Sequence, residues 1–271
     1  MLDLISALKQ SALLDGKVTA KNLLLRSVFP LVVRCGGTAP DGADKMLGDY
    51  SVGETVFLNL GGVATEFLIV HQGNPDASLY SGNANGTWLI PVSAIGAIQW
   101  DSAGTNDYGA SSVHTYLNND FISMLDTDVQ SVVQELKIPY CNSNAVDGEI
   151  ASGEDGLLTK AFLLSGTEVG WTKESFGGSA QYLPDEGTKL DYFVAGLGDD
   201  AKPVRRAMLN GSYCDWWVRT VPCKYNKTLV LRVAASGAWG SNNASSTDSL
   251  RPAIVLPFNA KFNGNNEFVS V

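Results

Sequence analysis

Trp216-Trp217-Val218-Arg219-Thr220, Leu229 to Ala235, Trp239-Gly240-Ser241-Asn242-Asn243 and Leu250-Arg251-Pro252-Ala253-Ile254-Val255-Leu256 follow one another near the end of the chain. The order reads as strand, strand, exposed loop, strand. Large apolar side chains on the strands supply a core, while the loop offers an indole, amides and hydroxyls. Such a mixture suits recognition of sugars or polar protein surfaces, because an aromatic gives contact area and amides give adaptable hydrogen bonds. A solvated turn explains the same residues equally well.

Working outward, Thr55 to Leu60 places Val56, Leu58 and Leu60 on one face, Gly61-Gly62 supplies the positive φ angles of a two-residue turn, and Val63 to Val70 returns. The run Phe67 to Val70 is uniformly apolar, which predicts cover on both faces. Two amphipathic helices are expected next. One has the stripe Val113, Tyr116, Leu117, Phe121, Met124 and Leu125 after the capping serines Ser111 and Ser112; the other has Val129, Val132, Val133 and Leu136 after Asp126-Thr127-Asp128, with Lys137 at its far end. Further strands are expected at Ile138 to Cys141, Ala161 to Leu164, Trp216 to Thr220, Thr228 to Val233 and Ala253 to Phe258. The segments 166–210 and 236–249 read as loops, and long loops in a compact domain are usually functional. The fold class is therefore α+β. At the other end, Leu2, Ile5, Leu8, Leu13 and Leu14 recur near helical spacing up to Gly16, a turn follows to Pro30, and Gly36 to Asp44 reads as a linker. Residues 1–46 form an attachment segment on this reading and 47–271 the body.

Composition narrows function. The 271 residues carry a net charge of −9, 17% charged and 45% hydrophobic residues and 28 glycines. Disorder does not fit that balance. Nucleic acid binding needs clustered Lys and Arg, which the chain lacks. Met1 to Gln10 has no apolar core of a secretory signal, and Leu23 to Val33, broken by Arg26 and Pro30, is shorter than the ~20 residues of a membrane span, so a soluble product without membrane insertion is expected. Four cysteines, Cys35, Cys141, Cys214 and Cys223, form no C-x-x-C pair, and with two histidines no zinc site is indicated. Cys214 and Cys223 could bridge neighbouring strands; buried free thiols are the simpler reading.

Candidate chemistry is sparse. His114 near Ser112 suggests a triad, but no G-x-S-x-G elbow occurs and a satisfied structural histidine accounts for it. His71 reads as a turn cap before Gly73-Asn74-Pro75. The carboxylate groups Asp126/Asp128, Asp185-Glu186 and Asp199-Asp200 lack EF-hand spacing and read as capping or solvated charge. No dinucleotide or P-loop glycine pattern is present. No catalytic residue, cofactor or metal is expected.

Four blocks carry a resemblance: S-x-V-H-x-Y-L-N-x-x-F (Ser111 to Phe121), K-x-F-L-L-S-x-x-E-V-G (Lys160 to Gly170), W-W-x-R-[ST] (Trp216 to Thr220) and R-P-A-x-x-L (Arg251 to Leu256). Together they resemble an uncharacterised domain family of gut Firmicutes and their phages, whose members are often phage tail or minor structural proteins. The terminal pattern, a W-x-R strand, a tryptophan–asparagine loop and a final R-P strand, also resembles the C-type-lectin-like fold of formylglycine-generating enzymes and phage tropism determinants, in which the first hairpin pairs with the last strand. Departures limit what carries over. Cys214 and Cys223 flank the W-W-V-R-T strand and do not match the paired active-site cysteines of those enzymes, and the E-P-N and W-N-D signatures of calcium lectins are absent.

The resemblance implies a virion protein, made in the host cytoplasm, homo-oligomeric and attached through residues 1–46 to other virion proteins. Its ligand-binding residues would be Tyr225, Asn226, Trp239, Ser241, Asn242 and Asn243, facing a host-surface glycan or protein. A structural decoration or adaptor protein without a receptor is the alternative, and an oxidoreductase of the formylglycine-generating type a third.

Overall fold

A computed structural model describes residues 44–141, 149–176, 183–222 and 226–271. The described residues all fall within one compact unit, Gly42–Val271. The expected attachment segment thus lies mostly outside the described residues. Its last two residues, Lys45–Met46, belong to the body, where they pair with Lys261–Phe262 in a small sheet completed by Phe268–Ser270.

The glycine turn sets the first sheet. Gly61 and Gly62 both have positive φ, 61° and 78°, and join Thr55–Leu60 to Val63–Gly73 in unbroken register. Val56, Leu58 and Leu60 face inward, and Phe67 to Val70 are buried throughout, as their sequence predicts. The sheet has the order Ala161–Leu163, Pro252–Leu256, Gly86–Pro91, Val63–Gly73, Thr55–Leu60, with every pair antiparallel. The hairpin therefore does not pair with the late strand Pro252–Leu256; Gly86–Pro91, absent from the sequence reading, stands between them with all six residues buried.

A second five-stranded sheet has the order Trp239–Asn243, Leu229–Val233, Trp216–Trp217, Thr247–Ser249, Ala97–Gln99. Its ladders are antiparallel except for the parallel contact of Trp216 with Ser249. The segment 236–249, expected as a loop, is thus mainly two strands. After Trp217 the chain leaves this sheet: the Arg219 amide donates to Leu164 O (2.9 Å), beside the first sheet's edge strand. Ile138 to Cys141 is two short strands, Leu136–Ile138 and Tyr140–Cys141, separated by Pro139, which has no N–H to donate.

The first expected helix forms as Ser112–Tyr116, a π-helical turn Leu117–Phe121 and a last turn Ile122–Met124, with the Ser111 hydroxyl accepting from the His114 amide (3.2 Å). Thr127–Val132 is shorter than its apolar stripe predicts. The Gln134 amide donates to Val255 O (2.8 Å), so the chain turns extended, and Leu136 enters a strand instead. Asp126 makes no side-chain cap; its carboxylate accepts from Asn59 Nδ2 (2.7 Å) on the hairpin. The architecture is α+β, with few helices and most of the core between sheets and irregular segments. Among the described residues no helix is long and apolar enough to cross a membrane.

Gly86 begins the central strand because nothing larger fits. A Cβ there would lie 2.5 Å from Leu256 O, 2.6 Å from Gln134 Oε1 and 2.8 Å from Val255 Cγ1. Gly86→Ala should lower the urea midpoint by the equivalent of about 1–3 kcal/mol, the cost of overpacking; an unchanged midpoint in equilibrium unfolding would refute that packing account.

Candidate functional site

Trp239 is the most solvent-exposed tryptophan with an aromatic neighbour behind it: it is 37% exposed, and its indole stacks on the buried Phe176 ring at 4.8 Å and 27°. Phe176 ends the helical turn Lys173–Phe176, which is fixed by reciprocal Thr172–Ser175 hydrogen bonds, and packs on Trp171 at 5.8 Å. The irregular segment after Gly166 and the strand Trp239–Asn243 thus meet at this stack. Along that strand Trp239, Ser241 and Asn243 are exposed and alternate with half-buried Gly240 and Asn242, as the two-residue period of a strand requires.

That period separates the residues expected to bind ligand. Trp239, Ser241 and Asn243 share a face. Asn242 points to the other, where its Nδ2 donates to Asp248 Oδ2 (3.2 Å). Asp248 lies 3.0 Å from Arg232 Nη1, which also pairs with Asp215 (2.7 Å), and burial raises the Asp248 carboxyl above its ordinary range. Asn226 is exposed, but its Oδ1 accepts from the Thr228 amide (2.8 Å) and hydroxyl (2.7 Å), and its carbonyl accepts from Asn106 Nδ2 (2.8 Å). Both asparagines hold the local structure. Tyr225 lies outside the described residues.

Sequence reading missed the strongest electrostatic feature. Arg219 and Glu168 are fully buried and pair in a bidentate geometry, Nη2 to Oε1 at 2.6 Å and Nη1 to Oε2 at 2.7 Å. The remaining guanidinium N–H groups donate to Pro139 O (2.9 Å), Leu163 O (2.8 Å) and Glu186 O (3.1 Å). Glu168 also accepts from Tyr80 OH (2.7 Å) and the Ser165 amide (2.8 Å). A second carboxyl, Glu186, is buried beside them; its Oε1 accepts from the Cys141 amide (2.7 Å) and its Oε2 has no geometric hydrogen-bond partner. Burial raises its pKa to about 7, against the opposing pull of Arg219. The signal was present: Ser165, Glu168, Arg219 and Thr220 are motif positions of two of the quoted blocks. These groups are sealed from solvent, so the junction is structural and offers no surface to a substrate.

Neither histidine forms a catalytic set. His71 is within a strand, paired with Trp88, and does not cap a turn; its Nδ1 lies 2.8 Å from Asp191 Oδ2, and burial lowers its pKa despite that carboxylate. His114 packs edge-on against Tyr108 at 5.3 Å, with Nε2 buried and unpartnered and its pKa lowered by burial. Cys214 is a free, half-buried thiol whose pKa is raised by burial, so it is not bridged to Cys223, whereas Cys141 is disulfide-bonded. Among the described residues no group of three or more His, Cys, Asp or Glu side chains could hold a metal.

The fold is an α+β domain with a sealed ionic junction and an aromatic open on an edge strand. The chain belongs to the family described as Domain of unknown function (DUF6273), which matches residues 85–258, well over half its length. All four quoted blocks fall within the match. Its ends nearly coincide with two adjacent strands, Gly86–Pro91 and Pro252–Leu256, that pair at Thr87–Leu256, Trp88–Val255 and Leu89–Ile254. No curated protein matches the chain, and no solved structure does.

Arg219→Met should cost about 3–5 kcal/mol in urea unfolding, because Glu168 is left buried without its partner; a loss under 1 kcal/mol would refute the pairing as a stability determinant. Glu186 makes a signed prediction. Its folded pKa of about 7 exceeds the ordinary 4.5, so between those values the folded state holds a proton that the unfolded chain has released. The stability it contributes is complete below pH 4.5 and is lost as pH rises toward 7, by at most about 1.4 kcal/mol per pH unit. Unfolding of wild type and Glu186→Gln from pH 4.5 to 8 should show the wild type losing stability relative to the variant; parallel curves would exclude a protonated Glu186.

Proposed function

We propose that the body is a non-catalytic ligand-binding domain of a phage virion protein, with a C-type-lectin-like arrangement, that recognises a host-surface glycan or protein through the Trp239 face. One observation carries the binding site: Trp239 is backed by Phe176 on one side and open on the other, with Ser241 and Asn243 exposed beside it on the same strand. An indole held in place loses little conformational freedom on binding, and hydroxyl and amide side chains at strand spacing can bond a polar ligand. The virion setting rests on the resemblance of the four sequence blocks, and attachment through residues 1–46 is part of the same proposal. A paired-thiol oxidoreductase draws no support from the cysteines, since Cys214 is free and Cys141 is bridged.

Binding of the purified protein to an array of bacterial cell-wall glycans, compared with Trp239→Ala and with the double variant Trp239→Ala, Asn243→Ala, tests the site. Loss of the indole should weaken binding about tenfold or more, the equivalent of about 1.4 kcal/mol, while Asn242→Ala should act through stability alone. Equal binding by wild type and the double variant would refute the assignment.

A further inference from the structure

The outer side of the strand Trp239–Asn243 pairs with no strand among the described residues. It ends the second sheet, with Leu229–Val233 on its inner side only. The Ala244 amide donates to Thr228 O (2.7 Å) and the Ala234 amide to Ala238 O (2.8 Å). Bonded and non-bonded pairs alternate along an antiparallel ladder. Gly240 and Asn242 therefore turn their amides and carbonyls inward, and Trp239, Ser241 and Asn243 turn theirs outward. At Asn243 the amide donates to Asn242 Oδ1 (2.9 Å) and the carbonyl accepts from the Ser246 amide (2.8 Å). The backbone groups of Trp239 and Ser241 have no partner among the described residues.

Sheet edges are ordinarily guarded by charge, proline or a bulge. Two other edges of this protein are covered. On Thr55–Leu60, the Phe57 amide donates to Asn266 O (2.7 Å) and Asn59 bonds Asp126. On Ala161–Leu163, Asn118 Nδ2 donates to Ala161 O (3.0 Å) and Tyr108 OH accepts from the Leu163 amide (2.8 Å). The strand Trp-Gly-Ser-Asn-Asn has none of these guards, and its register is regular. It also lies within residues 233–247, a run with no charged side chain. In a chain of net charge −9, two copies repel each other wherever like charges meet, and two facing copies of this strand bring no like charges together.

We propose that this edge is the contact with a second copy of the chain: two Trp239–Asn243 strands pair antiparallel about a two-fold axis at Ser241, joining their sheets. Ser241 then faces its symmetry mate and exchanges both backbone hydrogen bonds with it. Each Trp239 amide donates to the free lone pair of the facing Asn243 carbonyl. The contact does not depend on the ligand proposal. It sets the two Trp239 rings on the same face about 14 Å apart along the strands, at ~3.4 Å per residue, so that one polymeric ligand can engage both.

Sedimentation of the full chain should show a monomer–dimer equilibrium that shifts to dimer with concentration and with added salt, which screens the repulsion between copies. Ser241→Glu, which sets two carboxylates opposite each other on exposed positions, should weaken dimerisation at least tenfold with an unchanged melting temperature; Ser245→Glu, exposed but off the strand, should not. Ser241→Cys should give an oxidised dimer, because Cα atoms of a bonded antiparallel pair lie ~5.5 Å apart, within disulfide reach. A monomer at every concentration and salt overturns the proposal. So does a dimer that survives Ser241→Glu, or a failure of Ser241→Cys to cross-link. A wild-type chain that stays monomeric yet binds glycan, with that binding lost in Trp239→Ala, overturns this contact and leaves the ligand proposal standing.

Discussion

The bidentate pair of Arg219 and Glu168 is the constraint on which the body depends. Arg219 lies just where the chain leaves the second sheet, and its donors reach Pro139, Leu163 and Glu186 as well as Glu168. Leu163 ends the first sheet's edge strand, Pro139 separates two short strands, and Glu186 belongs to an irregular segment. One side chain thus fixes four pieces of chain that share no ladder. Burying the two charges is costly, and good geometry with every remaining donor satisfied is what offsets that cost. The second carboxyl makes the count of charges uneven, and a proton on Glu186 restores neutrality within the cluster.

The same logic extends to the other buried arginines. Irregular backbone inside a domain leaves carbonyl groups that no sheet or helix satisfies. Arg205 donates to Val169 O, Val194 O and Gly196 O, and Arg251 to Pro91 O and Val92 O while lying over the Trp216 ring at 5.4 Å. Burial lowers each to about 10, still far enough above neutrality to keep the charge. A chain with few charged residues places three guanidiniums inside, where each donates to carbonyls of irregular segments or of strand ends. This explains how the described residues between Gly166 and Arg206 can be poor in regular structure yet contribute Trp171, Leu190 and Phe193 to the core.

What the sequence disclosed follows from how local its causes are. The hairpin at Gly61-Gly62 and the serine-capped helix at Ser112 were legible because turn chemistry and capping act over a few residues. Gly86–Pro91 was not, because its apolar run is only Trp88 to Ile90 and it is bounded by Gly86 and Pro91, both poor strand formers. Trp239–Asn243 was hidden for a similar reason. Glycine, serine and asparagine have little strand preference, and the partner strand Leu229–Val233 imposes the conformation. For the site, the residue types were legible but their direction was not: strand pairing decides that Asn242 turns to Asp248 while Trp239, Ser241 and Asn243 turn outward. The sealed junction was legible only as motif letters, since a glutamate and an arginine 51 positions apart reveal their pairing only in three dimensions.

The uncharged run is bracketed by two charges that neutralise each other. Arg232 precedes it and Asp248 follows it, and they lie 3.0 Å apart, with Asn242 bonded to the same carboxylate. Fifteen consecutive residues without charge leave indole, hydroxyl and amide side chains along this edge, with Arg206 bonded to Ser236 O (3.1 Å) near its start. Pinning both ends of that run keeps it in register against Leu229–Val233, so its side chains keep their alternation even with weak strand formers. Rigidity is what makes an exposed indole useful for recognition, because a platform already ordered by Phe176 and by the Arg232–Asp248 clasp gives up little entropy when something settles on it.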